Sequence, residues 1–335
     1  MKIAFFGLLE GEKETVKKFL SDSDIVFFDE KLSQENVEKV KDADVISVFI
    51  NSEIEQNIID NLPQLKFIAT RSTGYDHIDC KYAKSKGIQV SNVPAYGSHT
   101  VAEFAFALLL SLSRKIYYAY NHLKEDADFS IYSLQGFDLN GKTIGVIGTG
   151  KIGKNLIKIA KGFNMNVVAY DLYPDVNFAK ENNFEYKSLD EVLSGADILS
   201  LHVPFSKENY HLINKEKISF MKKGVVLINT ARGELIDTEA LIWGLEEKII
   251  AGAGLDVLEA ERELKEEFEI LSDPAKAEKV KDYKTLLEDR MLIDMPNVIV
   301  TPHIAFYSKE AEEGIIKTTI ENIKNFISGK PIDLV

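Results

Sequence analysis

The stretch "TIGVIGTGKIG", Thr143 to Gly153, decides how the rest of the chain is read. A β-branched run stops at Gly148, and Gly150 and Gly153 complete a G-x-G-x-x-G spacing at the start of a helical pattern. Each glycine has a physical job. One permits the tight turn, one lets the backbone approach a pyrophosphate, and one allows close packing of helix on strand. The helix N-terminus then offers oriented N–H groups to the phosphates. The next strand pattern, Asn166–Tyr170, is followed by Asp171, 18 residues after Gly153. A carboxylate there accepts hydrogen bonds from a ribose diol and repels a 2′-phosphate. No Arg or Lys follows within "DLYPDVNF", so NAD rather than NADP is expected. The alternative for Asp171 is a helix cap or turn acid.

Strand patterns continue downstream at Ile198–Leu201, Val225–Asn229, Ala251–Leu255 and Val298–Val300. Runs such as "GVVLIN" are apolar throughout, as strands buried on both faces of a parallel sheet must be. Upstream lies a second series, at Ile3–Phe6, Ile25–Phe28, Val45–Phe49, Phe67–Thr70 and Ile88–Ser91, separated by Lys/Glu-rich helical segments. One long helix is expected from Ser98 to Leu123. It is apolar around most of its surface and so is expected to pack on several sides, including across a subunit interface. The C-terminal helix pattern after Ala305 suggests a return to the first series. Two α/β domains, the second inserted in the first, account for the pattern.

Composition narrows the partners. The chain has 335 residues, 45% hydrophobic and 28% charged, and a formal net charge of −13. That charge disfavours nucleic acid and anionic membrane as partners. An anionic small molecule would need locally placed cations or backbone N–H groups. A single cysteine, Cys80, excludes an internal disulfide and fits a reducing cytoplasm. The N-terminal sequence lacks a signal-peptide pattern, and "FAFALLL", Phe104 to Leu110, is too short to span a bilayer.

Ligands of open α/β sheets bind beyond the carboxyl ends of the strands. There the sequence places "HVPFSKEN" after Leu201, and Thr230, Ala231, Arg232 and Gly233 after Asn229. Asp256, Glu259 and Glu261 follow Leu255, and Thr301, Pro302 and His303 follow Val300. These are parts for hydride transfer to a 2-oxo acid: a cation for the carbonyl or carboxylate, an acid–base imidazole, and a carboxylate to orient it. Glu261 and Glu259 compete for the last role, in a run, "EAERELKEEFE", that also reads as a solvated charged helix. His77 and His99 read as capping or packing residues, His122 and His211 as surface ones.

The motifs "RSTGYDHID", "NVPAYGSHTVAE", "GVIGTGKIG", "LHVPFSKEN", "INTARGELID", "GLDVLEAE" and "TPHIA", in this order, make the chain resemble the D-isomer-specific 2-hydroxyacid dehydrogenases, and within them the D-lactate dehydrogenase branch. The resemblance implies a Rossmann NAD-binding domain over 99–304, inserted in a flavodoxin-like substrate domain formed by 1–98 plus 305–335, both doubly wound parallel sheets. It implies Arg232, Glu261 and His303 as catalytic residues. NAD contacts would come from Gly148, Gly150, Lys151, Ile152, Gly153, Asp171, Val203, Pro204, Asn209, Thr230, Ala231 and Asp256. Substrate contacts would come from Ser72, Thr73 and Gly74, with Tyr96 and Tyr307 lining the pocket. The implied protein is a cytoplasmic homodimer, assembled through the helix around 98–123, that interconverts pyruvate and D-lactate without a metal. Glyoxylate, glycerate or a branched hydroxy acid is the alternative substrate, and a non-catalytic NAD(H) sensor the alternative class. The charged segment 263–295 is longer than in many relatives and leaves substrate size open.

Overall fold

A computed structural model describes residues 1–8, 10–94, 97–265 and 282–335. The chain forms two compact units, Met1–Gly97 with Tyr307–Val335, and Ser98–Phe306.

The first unit is a five-stranded parallel sheet of β1 (Lys2–Phe6), β2 (Asp24–Phe28), β3 (Val45–Val48), β4 (Phe67–Thr70) and β5 (Gln89–Ser91), in the order β2-β1-β3-β4-β5. Successive side chains serve opposite faces, as the strand period of two requires. Ala4 and Phe6 of β1 join one core with Ile46, Ile68 and Val90. Ile3 and Phe5 join the other with Val45, Phe67 and Ala69. That second face is covered by the helices Glu10–Phe19 and Lys309–Ile327, through Val16, Ile316, Ile320 and Ile323. Phe67 stacks on Phe326 with ring centroids 4.3 Å apart, a contact worth about 1 kcal/mol beyond its buried area. Ser308 caps the C-terminal helix by accepting from the Ala311 amide at 3.2 Å.

The second unit holds seven parallel strands: β6 (Thr143–Ile147), β7 (Asn166–Tyr170), β8 (Glu185–Tyr186), β9 (Ile198–Leu201), β10 (Val225–Asn229), β11 (Ile250–Leu255) and β12 (Val298–Val300). Their order is β12-β11-β10-β9-β6-β7-β8. The chain direction of the winding reverses between β6 and β9, which makes the carboxyl end of β6 the topological switch point. The short β8 was not expected from sequence, since Glu185 and Tyr186 sit among polar residues.

The expected single helix from Ser98 to Leu123 is two helices, Ser98–Ser113 and Ile116–Asp126. Lys115 between them takes a left-handed φ of 51°. The ladder is interrupted because the Phe137 amide takes the Ser113 carbonyl at 2.9 Å. Gly136 lies so close to that carbonyl that a Cβ there would sit 2.1 Å from it. The first helix is the buried one, with Leu108 and Leu112 against β11 at Gly254.

Candidate active site

The fingerprint turn shows which glycines the fold itself demands. Gly148 has a φ of +95°, and a Cβ on it would meet the His202 carbonyl carbon at 2.7 Å. A Cβ on Gly153 would lie 2.1 Å from the Gly148 oxygen. Gly150 is different: a Cβ there meets nothing within 4 Å. It caps the helix Lys151–Gly162 at its N-terminus, so the open space in front of it adjoins the positive end of the helix dipole. That opening fits a pyrophosphate, and the residues present fit a dinucleotide.

Asp171 is held rigidly. Its Oδ2 accepts from the Thr149 amide at 2.6 Å and the Thr149 hydroxyl at 2.9 Å. Its Oδ1 accepts from the Tyr173 amide at 2.8 Å. Tyr186 of β8 braces the Thr149 hydroxyl at 2.9 Å. Thr149 and Tyr186 were missed in the sequence reading, although Thr149 lies inside the fingerprint. Val203 and Pro204 follow β9, and Asn209 closes their loop. Asn209 donates to the Pro204 carbonyl at 2.8 Å and accepts from the Ser206 amide at 2.7 Å. His202 was also missed. Its Nδ1 is buried with no partner among the described residues, and burial lowers its pKa to about 3, so the ring is neutral. Lys151 is exposed and Ile152 half-buried at the start of the helix.

After β10, the buried Asn229 folds the chain into a turn. Its amide donates to the Arg232 carbonyl at 2.8 Å and its oxygen accepts from the Ala231 amide at 3.0 Å. The Thr230 hydroxyl is buried there without a partner among the described residues. Arg232 is half-buried and directs Nη1 to the Ala231 carbonyl at 2.7 Å. The next residue, Gly233, lies against the backbone of Leu258 and Glu259, where a Cβ would sit 2.1 Å from the Leu258 carbonyl. This close approach joins the Arg232 turn to the segment bearing Glu261.

The loop after β12 is anchored by Asp256, which is 1% exposed. Its carboxylate accepts from the Thr301 hydroxyl at 2.6 Å and the amides of Ile304 and Ala305 at 2.9 and 2.8 Å. Its backbone carbonyl takes the His303 amide at 2.9 Å. Burial pushes the Asp256 pKa up, and the three donors oppose that. His303 sits at the crest of the loop with a φ of 56°. Its Nδ1 lies 2.9 and 3.0 Å from the two oxygens of Glu261. Nε2 has no hydrogen-bond partner among the described residues.

Glu259, the competing carboxylate, is engaged elsewhere. Its Oε1 accepts from the Tyr210 hydroxyl at 2.8 Å and pairs with His211 Nε2 at 2.7 Å, and Oε2 accepts from Thr238 at 3.0 Å. His211 is therefore not a free surface residue, as expected from sequence, but a partner of Glu259, stacked on Tyr210 with centroids 3.8 Å apart.

In the first unit, the loop after β4 is held by side chains. Ser72 Oγ lies 2.7 Å from Thr70 Oγ1 and donates to the Gly74 carbonyl at 2.6 Å. Thr73 donates to the Val93 carbonyl at 2.8 Å, and Asn92 donates to the Thr73 carbonyl at 2.7 Å. Thr70 also meets His77 Nε2 at 3.0 Å. Among the described residues, no acceptor takes the N–H groups of Ser72, Thr73 or Gly74. Arg71, 2% exposed, lies directly before them and donates to the Phe6 and Gly7 carbonyls and to Ser47. Burial lowers its pKa to about 10, which leaves it a cation at neutral pH. It places a buried cation beside this loop, in addition to Arg232, and the sequence did not single it out. Tyr307 is 55% exposed, next to the acidic first turn of the C-terminal helix. Tyr96 lies outside the described residues.

The chain has relatives of known sequence and structure. Residues 106–305 match the family model "D-isomer specific 2-hydroxyacid dehydrogenase, NAD binding domain". The chain is 36% identical over 342 residues to the D-lactate dehydrogenase of Escherichia coli, with 100% of each chain covered. It is 41% identical over 292 residues to the aromatic 2-oxoacid reductase of Clostridium sporogenes, covering 85% of this chain and 83% of that one. Among solved structures, the D-lactate dehydrogenase of Aquifex aeolicus, complexed with NAD and lactic acid, superposes with a TM-score of 0.88 at 37% identity, covering 98% and 96% of the two chains. The chain belongs to the D-isomer-specific 2-hydroxyacid dehydrogenase family, and its cofactor is NAD.

Proposed function

We propose that this dehydrogenase interconverts pyruvate and D-lactate, with Arg232, Glu261 and His303 as its catalytic residues. The observation that carries the assignment of residues is the pairing of His303 Nδ1 with both oxygens of Glu261 at 2.9 and 3.0 Å. A carboxylate on Nδ1 fixes the tautomer and orientation of the ring and leaves Nε2 as the atom that exchanges a proton. Bound NADH supplies the hydride. Arg232 presents a planar guanidinium that holds the substrate and polarises its carbonyl. The amides of Ser72, Thr73 and Gly74 receive the substrate carboxylate, with Arg71 behind them as fixed positive charge, and Tyr307 lines the pocket. As His303 donates its proton to the developing alkoxide, Glu261 stays ionised. In the oxidative direction the same nitrogen takes the proton back.

Unit 1 is accordingly the substrate domain and unit 2 the NAD domain. Asp171 recognises the ribose diol, and the segments Gly148–Gly153, Val203–Asn209 and Thr230–Ala231 line the cofactor, with Asp256 beside them. The D-lactate assignment is supported by full-length likeness to a D-lactate dehydrogenase. Likeness to an aromatic 2-oxoacid reductase supports a second reading, a larger 2-oxo acid. Steady-state reduction of pyruvate, glyoxylate, 2-oxoisocaproate and phenylpyruvate, followed by NADH absorbance, separates the two. The highest kcat/KM on pyruvate supports the first reading, and a preference for phenylpyruvate overturns it.

The protein is further proposed to be a cytoplasmic homodimer. The apolar side chains of Phe129, Ile131 and Tyr132 are 86%, 85% and 88% exposed just beyond the helix Ile116–Asp126, which itself exposes Tyr117 and Tyr120. Exposed apolar side chains of this kind support a protein–protein contact here. Sedimentation of the wild type and of a Phe129→Ser, Ile131→Ser, Tyr132→Ser variant tests it, the variant being the monomer.

A further inference from the structure

We propose that Asp289 is a positioning residue for Glu261, and that the helix Tyr283–Asp294 serves to bring it there. The proposal rests on Glu261 being the partner of an acid–base His303. Asp289 has no exposed surface. Its Oδ2 accepts from the Ala260 amide at 2.7 Å, one peptide unit before Glu261. Its Oδ1 lies 3.4 Å from the Thr238 hydroxyl, whose proton also serves Glu259 at 3.0 Å. The turn 258–261 is therefore held from three directions. Gly233 packs on the backbone of Leu258, Tyr210, His211 and Thr238 hold the side chain of Glu259, and Asp289 holds the amide of Ala260.

One main-chain amide does not by itself call for a buried carboxylate, which is costly to desolvate. A side chain with two polar atoms does what a single one cannot: one takes Ala260, and the other faces the hydroxyl shared with Glu259. The result fixes the backbone immediately before Glu261, which decides where its carboxylate meets His303. A catalytic group must be held to within about 0.5 Å of its working position. The longer segment between Glu261 and His303 thus acquires a task, carried by its described helix.

Three variants test this: Asp289→Leu, Asp289→Asn and, as the control, Glu261→Gln. The readouts are the pH profile of kcat/KM for 2-oxo acid reduction, NADH affinity, and the Nδ1–H resonance of His303 in the apoenzyme. Asp289→Leu is expected to lose about tenfold in kcat, with NADH affinity unchanged. Its pH profile should move in the same direction as that of Glu261→Gln, and its His303 Nδ1–H signal should broaden or shift as in that variant. Asp289→Asn, which keeps an acceptor for Ala260, should stay within about threefold of wild type. If the leucine variant does not fold, Asp289→Ala carries the same outcomes. A wild-type profile and a wild-type Nδ1–H signal in the folded variant, with activity lost only in proportion to folded protein, overturn the proposal. Failure of Glu261→Gln itself to alter profile or signal overturns instead the reading of Glu261 on which it rests.

Discussion

Two loops at the carboxyl ends of parallel strands, 70–77 after β4 and 301–305 after β12, are built in opposite ways. In the first, hydroxyl and amide side chains of Thr70, Ser72, Thr73 and Asn92 hold the loop, and the main-chain N–H groups of Ser72 to Gly74 meet no acceptor among the described residues. In the second, the main chain is held by the buried carboxylate of Asp256, and the side chain of His303 is held at Nδ1 by Glu261, with Nε2 unpartnered among the described residues. The first loop is suited to recognising a fixed anion, because amides do not change charge. The second is suited to moving a proton. On the proposed reading, the first loop binds and the second carries the chemistry.

The comparison breaks most easily on a pair of substitutions. His303→Ala should lower kcat about a hundredfold or more in both directions, the usual share of a positioned acid–base group. Thr73→Ala removes only a bond that shapes its loop, so its effect should fall on KM for the 2-oxo acid, about fivefold, with kcat nearly kept. Equal kcat losses in the two variants would contradict the division of labour.

Arg232→Lys keeps the charge but loses the planar fork, and a loss of about tenfold to a hundredfold in kcat/KM is expected. Near-normal turnover would remove Arg232 from the reacting centre. Cofactor choice comes next. Asp171, fixed by Thr149, should give NADH an advantage of about tenfold over NADPH, from an unfavourable contact of about 1.4 kcal/mol. Asp171→Ala should narrow that gap, and equal efficiency with both cofactors in the wild type would contradict the assignment.

The smallest effect concerns stability. Burial, with Glu259 and Glu288 nearby, raises the Asp289 pKa to about 7. A carboxyl whose pKa is raised on folding gives stability below its unfolded pKa that is lost as pH rises through the folded value. Asn has no such loss. The stability of Asp289→Asn relative to wild type should therefore rise between about pH 5.5 and about pH 8, by on the order of 1 kcal/mol. Urea unfolding at the two pH values measures it, and a constant difference would show that Asp289 is not protonated in the folded protein at the lower pH.

How far the sequence carried depends on which atoms do the work. Long apolar strands such as Val225–Asn229 announce themselves by composition, whereas Glu185–Tyr186 is too short to carry a period. The helix break at Lys115 comes from a distant donor, the Phe137 amide, which no local propensity records. Arg232 and His303 are legible because an arginine, a glutamate and a histidine follow three strands of the sheet that opens with the dinucleotide fingerprint, a combination rather than any one residue. The cradle proposed at Ser72 to Gly74 rests on backbone amides, which every sequence has, so only resemblance could point to it. Asp289 hides in a run of acids and bases, "LLEDRMLID", whose ordinary reading is a solvated helix. Glu259 and Glu261 are the same residue type two positions apart, and only their partners tell them apart.

That last distinction is also the most direct test. The reduction rate of the preferred 2-oxo acid, measured side by side in Glu261→Gln and Glu259→Gln, asks which carboxylate serves His303. Glu261→Gln is expected to lose tenfold or more, roughly the range of a lost charge-assisted hydrogen bond, and to shift the pH profile. Glu259→Gln, which keeps an acceptor for Thr238 or Tyr210, should stay within about threefold with its profile in place. The reverse pattern, an unaltered Glu261→Gln beside a disabled and pH-shifted Glu259→Gln, would contradict the assignment of the acid–base pair.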